Sequence, residues 1–159
     1  MYLHKILGPH PIAILENVYK EVARIPSRKR ILDNLLNSVR IVSIMEFPIA
    51  DIEIKKEFAL IKKLNPLIGD GERACMAVAK YNKNIIASSN YRDIVPYCTA
   101  NSIQYIGTLD ILTIALQKGV FDVNRCNTFI SIARSVNNAR FPARVIHITD
   151  YVAPDLSFI

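Results

Sequence analysis

Side chains able to do chemistry are thinly spread along this chain. Cys75, Cys98 and Cys126 are far apart and odd in number, which fits neither a disulfide framework nor a thiolate metal site and predicts reduced thiols in a core. His4 and His10 stand alone, and His147 sits in an apolar run that reads as a core position. There is no Gly-rich loop to cradle phosphates and no plausible nucleophile–base pair, which disfavours a small-molecule α/β enzyme. What remains is a set of acids near helix starts. Glu72 and Asp110 fall in first turns, where the helix dipole favours negative charge. Asn90 and Asp93 have the spacing of an N-cap and its third residue, an arrangement worth roughly 1 kcal/mol. Glu21 lies in a polar helix as a solvated acid. Basic residues accompany these acids: Arg73 beside Glu72, Arg92 between Asn90 and Asp93, and Arg24, Arg28, Lys29 and Arg30 after Glu21. Acids do metal or proton chemistry only where a fold gathers them, so the question becomes which elements carry them.

The stretch from Gly69 to Leu116 reads as a repeating helix–strand unit. Ala74, Cys75, Val78 and Ala79 fall at helical spacing between Glu72 and Tyr81, and the short apolar run IIAS follows as a buried strand. A second helix reaches Thr99, IQYIG supplies another strand, and a third helix starts at Thr108. Upstream, MYLHKIL reads as helix, Ile12 to Leu15 as strand and Glu16 to Ala23 as helix. Ser27 then caps a helix through Asn37, and Val39 to Met45 is a β-branched strand. Ala50 to Leu64 is a helix with Ile54, Phe58 and Ile61 on one face. Downstream, Val123 to Asn137 is helical and Val145 to Ile148 forms a last strand ending at Asp150. Strands separated by helical crossovers imply a parallel sheet, which binds ligands beyond the carboxyl ends of its strands.

Composition fits that organisation. A chain of 159 residues that is 51% hydrophobic has length for one domain, residues 1–159, with a substantial core. No apolar run approaches the roughly 18 residues of a membrane span, and the N-terminus lacks a signal-peptide pattern, so a soluble, cytoplasmic protein with no membrane partner is expected. The formal charge of +6 points weakly to polyanions.

The segments GDGERACMAVAKYNKNIIASSNYRDI and IQYIGTLDILTIALQKGV together resemble the second half of a PIN domain, in particular the subgroup with a Gly-Glu and a Gly-Thr-Leu helix start. The similarity extends over roughly Pro11 to Val120; its motifs are loose individually, and their order and spacing carry it. The resemblance implies a three-layer α/β/α sandwich on a parallel sheet of about five strands. It also implies a divalent-metal-dependent endoribonuclease of the kind that serves as the toxin of toxin–antitoxin pairs, with RNA as substrate, an antitoxin protein as partner and a homodimeric state. By position, Glu21 matches the acid in the helix after the second strand and Glu72 the acid opening the next helix. Asn90 and Asp93 match the polar positions of the motif after the fourth strand. Two carboxylates about 4 Å apart repel by roughly 4 kcal/mol at an effective dielectric of 20, so such a cluster needs a divalent cation or a shared proton. Oxygen ligands and phosphate chemistry select Mg2+ or Mn2+, which activates water for in-line hydrolysis. Arg73, Arg92 and Arg24 are then the phosphate contacts, and Tyr91 and Tyr97 can stack on bases or serve core or rim packing.

One departure from the family pattern is large. The central first strand with its Asp has no counterpart before Pro11. RVIHITDYVAPDLSFI has the look of that strand, with Asp150 at its end as the missing acid, which would make the chain resemble a circular permutation. The alternatives are a strand from a partner chain, or a natural start upstream of Met1. Each is motivated by the cost of unpaired strand edges in a buried sheet. With or without that acid, the competing expectation is a catalytically degenerate PIN-like module that binds nucleic acid or protein.

Overall fold

The computed structural model describes residues 2–39, 41–136 and 138–159. Its elements in chain order are α1 (Leu3–Leu7), β1 (Ile12–Leu15), α2 (Glu16–Val22), α3 (Pro26–Asn34), β2 (Val42–Met45), α4 (Ile52–Leu64) and α5 (Asp70–Asn82). There follow β3 (Ile86–Ala87), α6 (Tyr91–Ala100), β4 (Tyr105–Ile106), α7 (Thr108–Gln117) and α8 (Val123–Ser135). A π-helical turn, Leu35–Val39, extends α3, and a 3-10 turn, Ile148–Asp150, lies near the C-terminus. The fold is α/β with short parallel strands. The chain divides into two compact units, Pro11–Ile106 and the pair of segments Met1–His10 and Gly107–Ile159.

In the Pro11–Ile106 unit the strands form two parallel ladders. Strand β1 pairs with β2 in the register Ile12↔Val42 to Leu15↔Met45, and β3 pairs with β4 as Ile86↔Tyr105 and Ala87↔Ile106. The ladders are separate two-stranded sheets, so the expected single sheet of about five strands is replaced by four short strands in two pairs among the described residues. Helix α5 packs against both β1 and β3, as well as against α2, α4 and α6. Its residues Ala74, Met76, Ala77 and Val78 are at most 2% exposed and sit in a core with Leu15, Ile54, Ile61, Ile86, Ile94 and Cys98. A helix enclosed on most sides needs small side chains where its neighbours come close, and the alanines of α5 meet that need.

Helix starts follow local chemistry more closely than the expected boundaries. Helix α3 begins at Pro26, whose fixed φ suits the first helical position, and not through a cap from Ser27. Asp51 caps α4, its carboxylate accepting from Glu53 N at 3.0 Å and Ile54 N at 3.1 Å. The strand expected from Val39 begins at Val42, because the chain through Val39 continues the helical hydrogen bonding of α3; Arg40 lies outside the described residues.

The other unit packs α7, α8 and the 3-10 turn around Leu109, Leu112, Cys126, Ile130, Val145 and Ile148, with α1 against α7. Its C-terminal part corrects the expected strand at Val145–Ile148. Val145 N bonds Pro142 O at 3.0 Å, and Asp150 Oδ2 takes Ile146 N at 3.0 Å and His147 N at 2.8 Å. Asn127 Oδ1 takes Ile148 N at 2.7 Å. The backbone donors from Val145 to Ile148 are thus taken by the segment's own turn and by Asn127 of α8, not by a neighbouring strand. The buried side chains, Val145 and Ile148, are spaced by three residues, which suits a turn against a core and not the two-residue alternation of a strand. No strand from this segment completes a sheet, so the circular-permutation expectation does not stand.

Candidate functional site

Two of the expected acids come together in the Pro11–Ile106 unit. Glu72 opens the first turn of α5, and Asp93 lies in the first turn of α6. Asn90 sits between them at the N-cap position of α6. Its side chain makes no capping hydrogen bond. Instead Nδ2 donates to Glu72 Oε1 at 2.7 Å and to Asp93 Oδ2 at 2.7 Å. One amide nitrogen with two hydrogens thus spans two carboxylates from separate helices, drawing together groups that would repel if left alone. The loop after β3 supports this geometry, with Ser88 Oγ accepting from Asn90 N at 3.1 Å. The capping reading of Asn90 is therefore displaced by a longer-range contact.

Glu21 reaches the start of α5 from α2. Its Oε1 accepts from Gly71 N at 3.0 Å, using one of the backbone donors that a helix N-terminus leaves free. The approach depends on absent side chains. A Cβ on Gly71 would stand 2.8 Å from Glu21 Oε2, 3.0 Å from Val18 Cγ2 and 3.2 Å from the Val18 backbone, and a Cβ on Gly69 would stand 3.2 Å from Glu21 Oε1. The thiol of Cys75, one turn along α5, reports both acids. It is pushed up to about 11 by burial first, and then by the charges of Glu72 and Glu21. Glu21 and Glu72 thus both border the N-terminal end of α5, and Asp93 meets Glu72 through Asn90 at the loop that follows β3. Among the described residues, no group of three or more His, Cys, Asp and Glu side chains is arranged to hold a metal ion.

The basic residues separate into two kinds. Arg24 and Arg92 are exposed. Arg73 is 6% exposed; its guanidinium pairs with the exposed Asp70 and lies 5.8 Å from the centre of the Phe58 ring. Its Nε and Nη1 have no hydrogen-bond partner among the described residues. Tyr91 packs edge-on against Tyr105 with ring centres 5.8 Å apart, and Tyr97 donates to Glu57 at 2.8 Å, so both serve the core's rim.

The remaining candidates lie in the other unit. The Asp150 carboxylate is engaged by its own turn, and the hydrogen bonds from His147 N and, less, Ile146 N hold it below the ordinary carboxylate range. Asp110 is 1% exposed and accepts from Gly107 N at 2.7 Å and from Tyr151 OH at 2.6 Å. It ties the start of α7 to the C-terminal segment. Cys98 and Cys126 are buried and Cys75 is half-buried, all as free thiols.

One feature of the site, and one surface depression apart from it, were missed in the residue patterns. The glycines of Gly69-Asp70-Gly71 flank a helix start and are the signal for a close approach; what approaches, Glu21, comes from fifty residues away. An open depression of about 530 Å³ beside β2, lined by Tyr19, Asp33, Leu36, Asn37, Val42, Ser43 and Ile44, includes none of the acids described above. No helix among the described residues is long and apolar enough to cross a membrane. Comparison with protein-family models, with curated proteins and with solved structures finds no match for this chain.

Proposed function

We propose that this chain is a PIN-type endoribonuclease that cleaves RNA with Mg2+ or Mn2+ at the rim where Glu72, Asn90 and Asp93 meet. The observation that carries the reading is the pair of 2.7 Å contacts from Asn90 to carboxylates of α5 and α6. Two acids from separate elements converge beyond the ends of parallel strands, where α/β proteins bind ligands. Their donor atoms are hard oxygens, the type that Mg2+ and Mn2+ take. Glu72 and Asp93 would hold the cation, and the Asn90 amide, turned over, would present its oxygen in place of its nitrogen. Glu21, fixed by Gly71 N, adds negative charge at the same helix start. A divalent cation bound there would polarise a phosphodiester and supply hydroxide at neutral pH. Arg92 and Arg24, both exposed, are the groups for phosphate neutralisation. The same reading takes the two parallel ladders as parts of a PIN-like sandwich. A cytoplasmic toxin acting as a homodimer and held by an antitoxin fits it as well.

A second reading is favoured by one feature. The group between the two carboxylates is an amide, and no three-acid cluster stands ready among the described residues. On that ground the chain is a degenerate module that binds nucleic acid or protein without cutting. Calorimetric titration of Mn2+ into wild type, Glu72→Gln and Asp93→Asn, run beside cleavage of a fluorescent single-stranded RNA, separates the two. The nuclease reading expects saturable binding that each variant weakens at least tenfold, with cleavage lost in parallel. RNA binding, read from the anisotropy of the same RNA, without metal binding or cleavage leaves the degenerate module; loss of all three removes the nuclease and the RNA-binding module and leaves protein binding.

A further inference from the structure

We propose that the depression beside β2 is a pocket for one base of a single-stranded nucleic acid, taking a base with an exocyclic amino group in preference to uracil. The depression holds about 530 Å³, within the range of roughly 300–1,000 Å³ that takes small molecules. It shares no residue with Glu21, Glu72 and Asp93. Its lining offers both kinds of surface that a base requires. Leu36, Val42 and Ile44 are aliphatic, and the Tyr19 ring is aromatic; the flat face of any base gains from such contact. The polar part is Asp33, with Asn37 and Ser43.

Asp33 sets which base enters. Lys29 Nζ donates to its Oδ2 at 2.5 Å and Tyr19 OH to its Oδ1 at 2.8 Å. The Lys29 bond first, and then that of Tyr19, hold the carboxyl below its ordinary range, so at neutral pH the group only accepts. Each oxygen keeps a further lone pair for a ligand. A carboxylate accepts from the amino group of cytosine, and adenine and guanine carry amino groups of the same kind. Uracil has none, and its one ring donor stands between two carbonyl oxygens. The edge that carries these groups is free only in an unpaired strand.

Charge decides between a nucleotide and a basic side chain, the other ligand that suits a carboxylate. Asp33 is already paired with Lys29, and Arg30 stands one turn before it on α3. Lys29 and Arg30 are both exposed, and Arg30 is in no ion pair among the described residues. Positive charge at the mouth repels an entering lysine or arginine and attracts a phosphate. The pocket needs no divalent cation, so it stands or falls apart from metal binding at Glu72 and Asp93.

The test is fluorescence anisotropy of labelled pentacytidylate and pentauridylate with the full chain in metal-free buffer. Expected is saturable binding of pentacytidylate, tighter than that of pentauridylate by about fivefold or more. Asp33→Asn should reduce the preference to less than about twofold, because an amide can also donate to the uracil oxygen. Ser43→Leu, at an exposed position that leaves Asp33 and its partners in place, should weaken pentacytidylate about tenfold by filling the depression. That variant carries the test should Asp33→Asn fail to fold. Unlabelled cytidine monophosphate should compete about tenfold more weakly than unlabelled pentacytidylate, since it brings fewer phosphates. Absence of saturable binding, equal affinity for the two RNAs, or unchanged pentacytidylate affinity in Ser43→Leu overturns the pocket. A preference kept in Asp33→Asn overturns the role of Asp33, and a monophosphate that competes as well as the pentamer overturns the strand as ligand.

Discussion

At the scale of single residues, Asn90 and Gly71 decide whether Glu21, Glu72 and Asp93 act together. Asn90 uses both hydrogens of its amide on carboxylates, so replacing it with Asp exchanges a donor for a third negative charge. In the absence of metal Asn90→Asp is expected to lower stability by about 1 kcal/mol, the cost of exposed like charges at close range in a high dielectric. With Mn2+ in excess the sign reverses, because a ligand that binds only the folded form stabilises it by mass action. Thermal melts with and without Mn2+ check this; a loss of stability that Mn2+ leaves untouched would count against a cation at this position. Gly71 permits the approach of Glu21, and a methyl group there meets both that carboxylate and the backbone of Val18. Gly71→Ala is therefore expected to cost about 1–3 kcal/mol through overpacking between α2 and α5, read as a shift in the urea midpoint at constant slope.

At the scale of elements, Glu57 shows how a buried acid joins three helices. It lies on α4 and is 7% exposed, with Lys80 of α5 donating at 2.8 Å and Tyr97 of α6 donating at 2.8 Å. Burial works against its charge, but the Lys80 and Tyr97 hydrogen bonds outweigh that and hold its carboxyl below the ordinary value of 4.5. Tyr97 is pushed up by burial and by Glu57. A carboxyl lowered by folding stabilises the fold above its ordinary value, and that contribution is lost as pH falls through the folded value. Wild type should therefore lose stability below about pH 4.5, and Glu57→Gln should be less stable at pH 7 by about 1–3 kcal/mol with a flatter acid limb. Denaturant titrations from pH 3 to 7 provide the comparison, and parallel acid limbs would remove Glu57 as the cause. Such a triad is hard to read from residue order, since Glu57 and Tyr97 are forty positions apart. Helix type and order were legible because α4, α5 and α8 each carry sustained apolar periodicity. Val145–Ile148 was not, because its apolar residues fit a strand, while Pro142, the following Asp150 and the distant Asn127 divert its backbone donors. The acids were legible as types at helix starts. That Asn90 would turn from its cap to Glu72 depends on a helix eighteen residues earlier.

At the scale of the whole molecule, the net charge of +6 makes a quantitative claim about RNA. Binding that rests on phosphate neutralisation releases counterions, and for single strands log K falls with log salt at a slope of about 0.7 per contacted phosphate. If Arg24, Arg92 and about two further exposed cations each neutralise one phosphate, the slope is about −2.8, and raising salt from 50 to 200 mM weakens binding about fiftyfold. Removing Arg24 and Arg92 together should shift the slope by about 1.4, while Arg73→Lys should leave it unchanged, because that side chain is buried and its guanidinium is taken up by Asp70 and the Phe58 ring. The two sets of variants separate a charged surface that meets RNA from a charge that serves packing. Binding of a labelled single-stranded RNA followed across that salt range measures all three slopes. A wild-type slope near zero would mean that the positive field does not bring RNA to this chain, and the acids at the start of α5 would then need a different substrate.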